Sequence, residues 1–316
     1  VMVRFYIPAY KCLPVLLAKY SEPLLKGESA RRRMVGLLRS NISAALKHSK
    51  AKAVKIRSEG GLFLVTAEDE QSLIRPLLHV FGVDSVSACE EVEPDLAKAR
   101  AKCAEASSSF EAGSTFAIRA KRSAGFPVQS PRIGAECGEA VLDAHPSKRL
   151  KVSLSAPQNE IFVYMRERSA LVCGAPLPGP GGLPAGAEGI AACIISGSPF
   201  SALAAWMMAK RGMSPLLLSK QGSQGAREAA QLLAPWLGGE APHAIEYNDE
   251  QSACELAAAA GASALVGGEL WDEAQKGLSK FSGCELPFLM PLIGLSRNAA
   301  LSLARDAGLA EQGGEK

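Results

Sequence analysis

The run from Ile190 to Trp206, IAACIISGSPFSALAAW, constrains this chain more than any other segment. It reads as an apolar strand, a loop of small residues over Ser196 to Ser201, and a helix continuing towards Lys210. A strand that turns over serine and glycine into a helix N-terminus forms an anion cradle, because free backbone N–H groups and the positive end of the helix dipole point at the same place. Ser196, Gly197, Ser198 and Ser201 are therefore the candidate nucleotide-binding residues. The loop carries no acidic or basic side chain; hydroxyls, one glycine, Pro199 and Phe200 are all it offers.

The pattern after Ile190 alternates. Strands are expected at Pro215–Ser219, His243–Tyr247 and Ala264–Val266, with helices at Gly225–Leu237, Ser252–Ala260 and Arg297–Ala307. Such alternation predicts an α/β domain with a doubly wound parallel sheet, whose ligand crevice lies at the carboxyl ends of the strands, where Ser196 to Ser201 falls. The N-terminal half is α+β. Strand Val15–Tyr20, helix Ser29–His48, strands Val54–Arg57 and Leu62–Thr66 joined by a turn at Gly60-Gly61, helix Glu70–Val80 interrupted by Pro76, and strand Ser85–Glu91 follow the split βαβ order of a ferredoxin-like domain. A helix over Pro94–Ser109, a strand over Phe116–Arg122, a helix over Pro131–Ala144 and strands at Leu150–Leu154, Ile161–Arg166 and Ala170–Ala175 come next. In Phe116–Arg122, apolar residues alternate with Arg119 and Lys121, which gives that strand one basic face.

Net charge is only +3, but its distribution is uneven. Residues 1–60 carry +10, residues 61–112 carry −6, residues 113–151 carry +4, and residues 185–316 carry −5. Two basic blocks in the N-terminal half point to a polyanion, and RNA is favoured over a merely solvated surface. Lys26, Arg31, Arg32, Arg119, Lys121, Arg122, Lys148 and Arg149 are the candidate contacts, with Arg33 and Lys151 beside them. No apolar run reaches the roughly 18 to 20 residues of a membrane span, and no signal-peptide pattern opens the sequence, so a cytoplasmic protein without a membrane partner is expected.

Eight cysteines (12, 89, 103, 137, 173, 193, 254 and 284) are scattered without a close pair, so neither zinc nor an iron–sulfur cluster is expected and buried thiols are the default. Cys284, in the polar loop Ser282–Glu285, is the one candidate catalytic thiol. Glu269 and Glu273, at i and i+4 after a strand, are candidate magnesium ligands at the crevice, with solvated helix residues as the alternative. His79 falls on an apolar helix face and reads as core.

Several segments in order resemble the tRNA 4-thiouridine synthetases (ThiI-like proteins): Leu25 to Gly27 with Leu38 to Ile42, Val80 to Val83, Phe116 to Ser123, the linker Gly179 to Gly186, Met208 to Gly212, Val266 to Glu269 and Pro291 to Gly294. The resemblance implies an N-terminal extension at 1–13, a ferredoxin-like domain at 14–93, a THUMP domain at 94–175, a linker at 176–186, and a PP-loop ATP-pyrophosphatase domain at 187–316. It implies binding of the tRNA acceptor end, adenylylation of a uridine carbonyl oxygen by ATP with Mg2+ as a candidate ion, and sulfur delivered by a separate persulfide donor protein. A homodimer is left open. Against the family's SGGxDS loop this chain reads SGSPFS: Ser198 replaces the second glycine and Phe200 the aspartate. No cysteine follows Cys284, so the family's later sulfur-transferring cysteine and rhodanese domain are not expected. The leading expectation is a tRNA-binding protein acting in tRNA modification, with a degenerate nucleotide loop. The alternative is an active tRNA sulfurtransferase with an altered loop and Cys284 as sulfur relay, and a nucleotide sensor ranks third.

Overall fold

The structure, a computed structural model, describes residues 15–47, 52, 54–59, 61–69, 71–238 and 243–310. The expected extension 1–13, and the readings placed on Cys12, His48, Gly60 and Glu70, lie outside the described residues. Two compact units are present: one from described residues of segments 1–19, 51–74 and 85–178, the other from those of 20–50, 75–84 and 179–316.

In chain order the elements of the N-terminal half are β1 (Val15–Lys19), α1 (Glu28–Lys47), β2 (Lys55–Glu59), β3 (Leu62–Thr66), α2 (Gln71–Leu77), β4 (Ser85–Val92), α3 (Leu96–Ala106), β5 (Thr115–Arg122), α4 (Ser130–Ala144), β6 (Lys151–Val152), β7 (Asn159–Met165), β8 (Ala170–Cys173) and β9 (Leu177–Pro178). The order is that expected of a ferredoxin-like unit followed by a second α+β unit. α2 stops one residue after Pro76, whose ring disfavours further helix. The expected strand Leu150–Leu154 shrinks to the two residues of β6 at the sheet's edge, leaving Val152 and Leu154 exposed.

The strands of the first unit form one sheet in the order β2-β3-β1-β4-β8-β7-β5-β6, with β9 also on β4. β4 joins its halves, pairing with β1 on one side and with β8 and β9 on the other. α3 and α4 bury Ala99, Cys103, Ile133, Cys137 and Val141 with Phe116, Ile161, Val163 and Met165, while Ile118 and Ala120 pack against the same cluster. The period-2 alternation of β5 thus separates an apolar face from Arg119 and Lys121, as the sequence implied. One expectation is corrected. Cys89 and Cys173, directly opposed across β4 and β8, are disulfide-bonded rather than thiols. No short-range pattern announces this, because their proximity follows from strand register across 84 residues of chain.

In the second unit, β10 (Ile190–Ile195), α5 (Pro199–Lys210), β11 (Ser214–Lys220), α6 (Gln224–Leu233), β12 (Ile245–Tyr247), α7 (Glu250–Ala259), β13 (Ala264–Val266), α8 (Ala274–Lys280), β14 (Phe288–Leu289) and α9 (Arg297–Asp306) follow the expected alternation, with α8 and β14 as unforeseen additions. The sheet is parallel in the order β12-β11-β10-β13-β14. One face buries Leu217 of β11 with Leu203, Ala205, Ala230, Leu233, Ala300 and Ala304 from α5, α6 and α9, and the other buries Leu218, Ala253, Ala257, Leu265 and Phe281 around α7. Coverage on both faces explains why β10 is an unbroken apolar run.

Candidate functional site

From β10 the chain steps outward through β11 and β12, then returns to the other side of β10 as β13. That reversal places a topological switch point between β10 and β13, where open α/β sheets bind ligands. A crevice of about 450 Å3 opens there, lined by Ser196, Ser198, Phe200 and Ser201 after β10, Lys220 and Ser223 after β11, Tyr247 of β12, and Gly267 to Glu269 after β13.

The loop after β10 is closed on itself by hydroxyls. Ser196 N–H donates to Ser201 Oγ (3.0 Å), Ser198 N–H to Ser196 Oγ (3.2 Å), and Phe200 N–H to Ser198 Oγ (3.3 Å). Ser201 N–H donates to the Ser198 carbonyl (3.2 Å), and Ser201 itself is buried. Pro199 has no N–H, so among the described residues Gly197 alone keeps a loop N–H without a partner. An anion entering here exchanges weak hydroxyl contacts for charge-assisted ones, which are roughly twice as strong. Ser223, the N-cap of α6, accepts from Ala226 N–H, so a second helix N-terminus meets the crevice beside that of α5. Glycine is required where the loops meet. A Cβ on Gly225 would stand 2.7 Å from Gly197 Cα, and one on Gly268 would stand 2.6 Å from Phe200 C and Ser201 N.

Charge enters the crevice from elsewhere in the chain. Lys220 ends β11, Lys276 and Lys280 sit one turn apart on α8, and Arg297 opens α9, and all four line the crevice. Sequence reasoning missed them because α8 was not foreseen and because the four are scattered over 78 positions of chain. The available signal was a lysine pair at i and i+4. Phe200, on the first turn of α5, is only 6% exposed and packs in the core at the edge of the crevice, with the Arg297 guanidinium 5.3 Å above its ring centre.

Glu269 and Glu273 reach the same crevice. Glu273 Oε1 accepts from Arg297 at 3.4 Å, and Asp272 lies 3.7 Å from the same guanidinium. Glu269 Oε2 is buried without a hydrogen-bond partner, and burial pushes its carboxyl above the usual range. A Cβ on Gly267 would fall 1.9 Å from that oxygen and 2.5 Å from Phe288 Cζ, so the carboxyl is tucked against backbone and ring. No group of three or more His, Cys, Asp or Glu suited to a metal occurs among the described residues. Magnesium keeps several waters and needs free carboxylate oxygens. One oxygen of each glutamate, Glu269 Oε1 and Glu273 Oε2, is uncommitted.

The candidate RNA contacts divide into engaged and open side chains. Arg119 donates to Glu160 (2.7 Å) and the Leu154 carbonyl (2.8 Å). Arg122 donates to the carbonyls of Ser123, Ala124 and Phe126 and to Gln129, clamping the loop before α4. Lys148 donates to the carbonyls of Ser108 and Phe110. Among the described residues, Lys121, Arg149 and Lys151 are exposed and make no side-chain hydrogen bond or ion pair. Lys121 and Arg119 border a groove of about 780 Å3 between β5 and α4, floored by Ile118, Ala120, Gly134 and Gly138. In the second unit Lys26, Arg31 and Arg32 are exposed, and Arg32 pairs with Glu28.

Cys284 is half-buried against the cluster around α7 and does not line the crevice. The Cys254 thiol packs against the same cluster, with its pKa pushed up to about 12 chiefly by burial and then by Cys284. Cys193 is buried and likewise pushed up to about 12. His79 is half-buried 4.5 Å from Trp236, with Nδ1 2.7 Å from the Arg75 carbonyl, and burial lowers its pKa, in keeping with a core histidine.

Comparison with known proteins gives consistent matches. Residues 15–87 match the ThiI ferredoxin-like domain and residues 93–173 the THUMP domain. The probable tRNA sulfurtransferase of Methanosarcina acetivorans is 30% identical over 93% of this chain and 81% of its own length. Among solved structures, PH1313 from Pyrococcus horikoshii superposes with a TM-score of 0.81 at 25% identity, covering 93% of this chain and 99% of its own. A 4-thiouridine synthetase–RNA complex with bound ATP superposes with a TM-score of 0.79 at 24% identity, covering 94% of this chain and 86% of its own.

Proposed function

The chain belongs to the tRNA sulfurtransferase family, with a THUMP domain, and we propose that it binds tRNA and ATP and acts in tRNA modification with little adenylylating power of its own. One observation carries the nucleotide half of this reading: four cations and two helix N-termini converge on the switch-point crevice. Gly197 N–H, the hydroxyls of Ser196, Ser198 and Ser201, and Lys220, Lys276, Lys280 and Arg297 would hold the phosphates. When bound, ATP supplies the adenylyl group that activates a uridine carbonyl oxygen. The weak step is charge organisation. Adenylyl transfer depends on electrostatics placed around the phosphates. The loop position that is aspartate in the family pattern is here Phe200, facing the core.

The RNA half rests on the open side chains Lys121, Arg149 and Lys151 of the first unit, and on Lys26, Arg31 and Arg32 of the second. Phosphate contacts of this kind fix position and leave selectivity to RNA shape and single-stranded ends. The groove beside Lys121 offers such an end an apolar floor, with Glu139 and Asp143 lining it as well as Arg119 and Lys121.

A second reading, sulfur relay through Cys284 from a separate persulfide donor protein, has one observation in its favour: the Cys254 thiol packed against the same cluster. Cys284→Ser separates the two, since loss of tRNA thiolation supports the relay and unchanged thiolation removes it.

Conversion of labelled ATP to AMP, with and without unmodified tRNA, tests the main reading. The expected result is binding of both ligands with AMP formation near background. tRNA-stimulated AMP formation would overturn the loss of catalytic power.

A further inference from the structure

Two of the three tryptophans are packed together: the rings of Trp206 and Trp236 meet edge to face, with centroids 5.3 Å apart. Trp271 is placed differently. It is 77% exposed at the start of a short 3-10 turn, Trp271–Glu273, that follows β13 and leads into α8. A tryptophan offers about 150–250 Å2 for burial, so leaving this one in water forgoes a large contact. Its backbone is nevertheless held. Leu270 before it is buried in the cluster shared by α5 and α9, and the Leu270 carbonyl accepts from Glu273 N–H at 3.0 Å. The Trp271 carbonyl in turn accepts from Ala274 N–H. The ring is an exposed plane on a fixed support.

The surroundings say what that plane fits. Glu269 and Glu273, on either side of it in the chain, line the switch-point crevice, whereas Trp271 is outside that lining. The adjoining acids Asp272 and Glu273 lie 3.7 and 3.4 Å from the Arg297 guanidinium. Lys276 and Lys280, further on in α8, are exposed and make no ion pair among the described residues. The anchor of a protein interface needs apolar neighbours that exclude water around it. Trp271 is instead followed by the exposed polar residues Asp272, Glu273, Gln275 and Lys276. A stacked base needs only the face of the ring, with cations close by for the backbone, which is how single-stranded nucleic acid is held.

Resting on the RNA reading above, we infer that Trp271 is a stacking platform for an unpaired base of the bound RNA at the mouth of the crevice, with Lys276 and Lys280 serving the adjoining phosphates. Every base has a π-face, so the ring holds a strand beside the crevice without choosing its sequence.

Anisotropy of labelled, unmodified tRNA titrated with the full chain over a range of salt concentrations tests this. Trp271→Ala should weaken binding by about tenfold, within the range of one base–aromatic stack, and Trp271→Phe, which keeps a ring, should stay within about threefold of the parent. The salt slope should be the same for all three, because the ring touches no phosphate. Melting temperature and ATP affinity should not change, since the side chain is exposed and outside the crevice lining. An alanine variant that binds tRNA as tightly as the parent overturns the inference and leaves the RNA reading standing. Loss of ATP affinity in its place would assign the ring to the nucleotide, and a concentration-dependent rise in mass abolished by Trp271→Ala would assign it to a second copy of the chain; either overturns the inference. No tRNA binding by the parent chain overturns both.

Discussion

Gly268→Ala is the sharpest test of how the crevice is assembled. The new Cβ would lie 2.6 Å from Phe200 C, 2.6 Å from Ser201 N and 2.7 Å from Ser201 Cα, against an ordinary contact of 3.4 to 4 Å. All three obstacles are backbone, so no rotamer change relieves the clash; either the loop after β13 or the first turn of α5 must move. Overpacking of this kind costs about 1–3 kcal/mol, and the backbone setting argues for about 2 or more. With a urea slope of about 2 kcal/mol per molar, the unfolding midpoint falls by about 1 M. The three tryptophans, Trp206, Trp236 and Trp271, all lie in the second unit, so their fluorescence reports that unit directly. Gly283→Ala is the matched control: nothing stands within 4 Å of its Cβ, and its midpoint should stay within about 0.3 M of the parent. ATP affinity should fall with Gly268→Ala, because the Ser196–Ser201 loop is displaced. An unchanged midpoint would show that the two loops do not meet as closely as described, and the account of the crevice would fail with it.

Other outcomes follow from the same geometry. Lys121→Ala should leave stability unchanged while weakening tRNA binding and flattening its salt dependence by about one phosphate's worth, whereas Arg122→Ala should destabilise by about 1–3 kcal/mol by orphaning a set of loop carbonyls; equal stability losses would contradict the division into open and engaged side chains. Glu269 has its carboxyl pKa raised by burial, so the native state holds its proton more tightly than the unfolded state and stability falls as pH rises from the ordinary value of 4.5 through the raised one. Glu269→Gln should therefore stabilise the second unit at pH 7.5 but not at pH 4, and an equal effect at both would refute the burial argument. Native alkylation at pH 8 should spare Cys193, buried with its pKa pushed up to about 12, and mass mapping that finds it modified before Cys284 would contradict its placement.

Much of the fold was legible in the sequence, and the reason differs from element to element. β10 and α5 announce themselves because a strand covered on both faces must be apolar throughout, and a helix packed on three sides must be too. β5 is legible through its two-residue period, and α1 through Met34, Leu38, Ile42 and Ala45 recurring at helical spacing. α8 was not, since seven residues with an inner glycine carry too short a pattern to stand out. The burial of Phe200 was not legible either, because position on a helix's first turn does not by itself say which neighbours lie beneath.

The amino-acid sequence by itself determined where apolar runs, turns and caps fall, and hence the order of elements and the place of the phosphate-facing loop, because these depend on spacings of two to four residues. Only the tertiary structure decided which charges meet. Lys220, Lys276, Lys280 and Arg297 gather at one crevice, Arg122 and Lys148 turn to carbonyls instead of solvent, and Cys89 finds Cys173. Each of those outcomes depends on strand order and register across tens of residues, and the periodicity of a linear sequence carries no record of either.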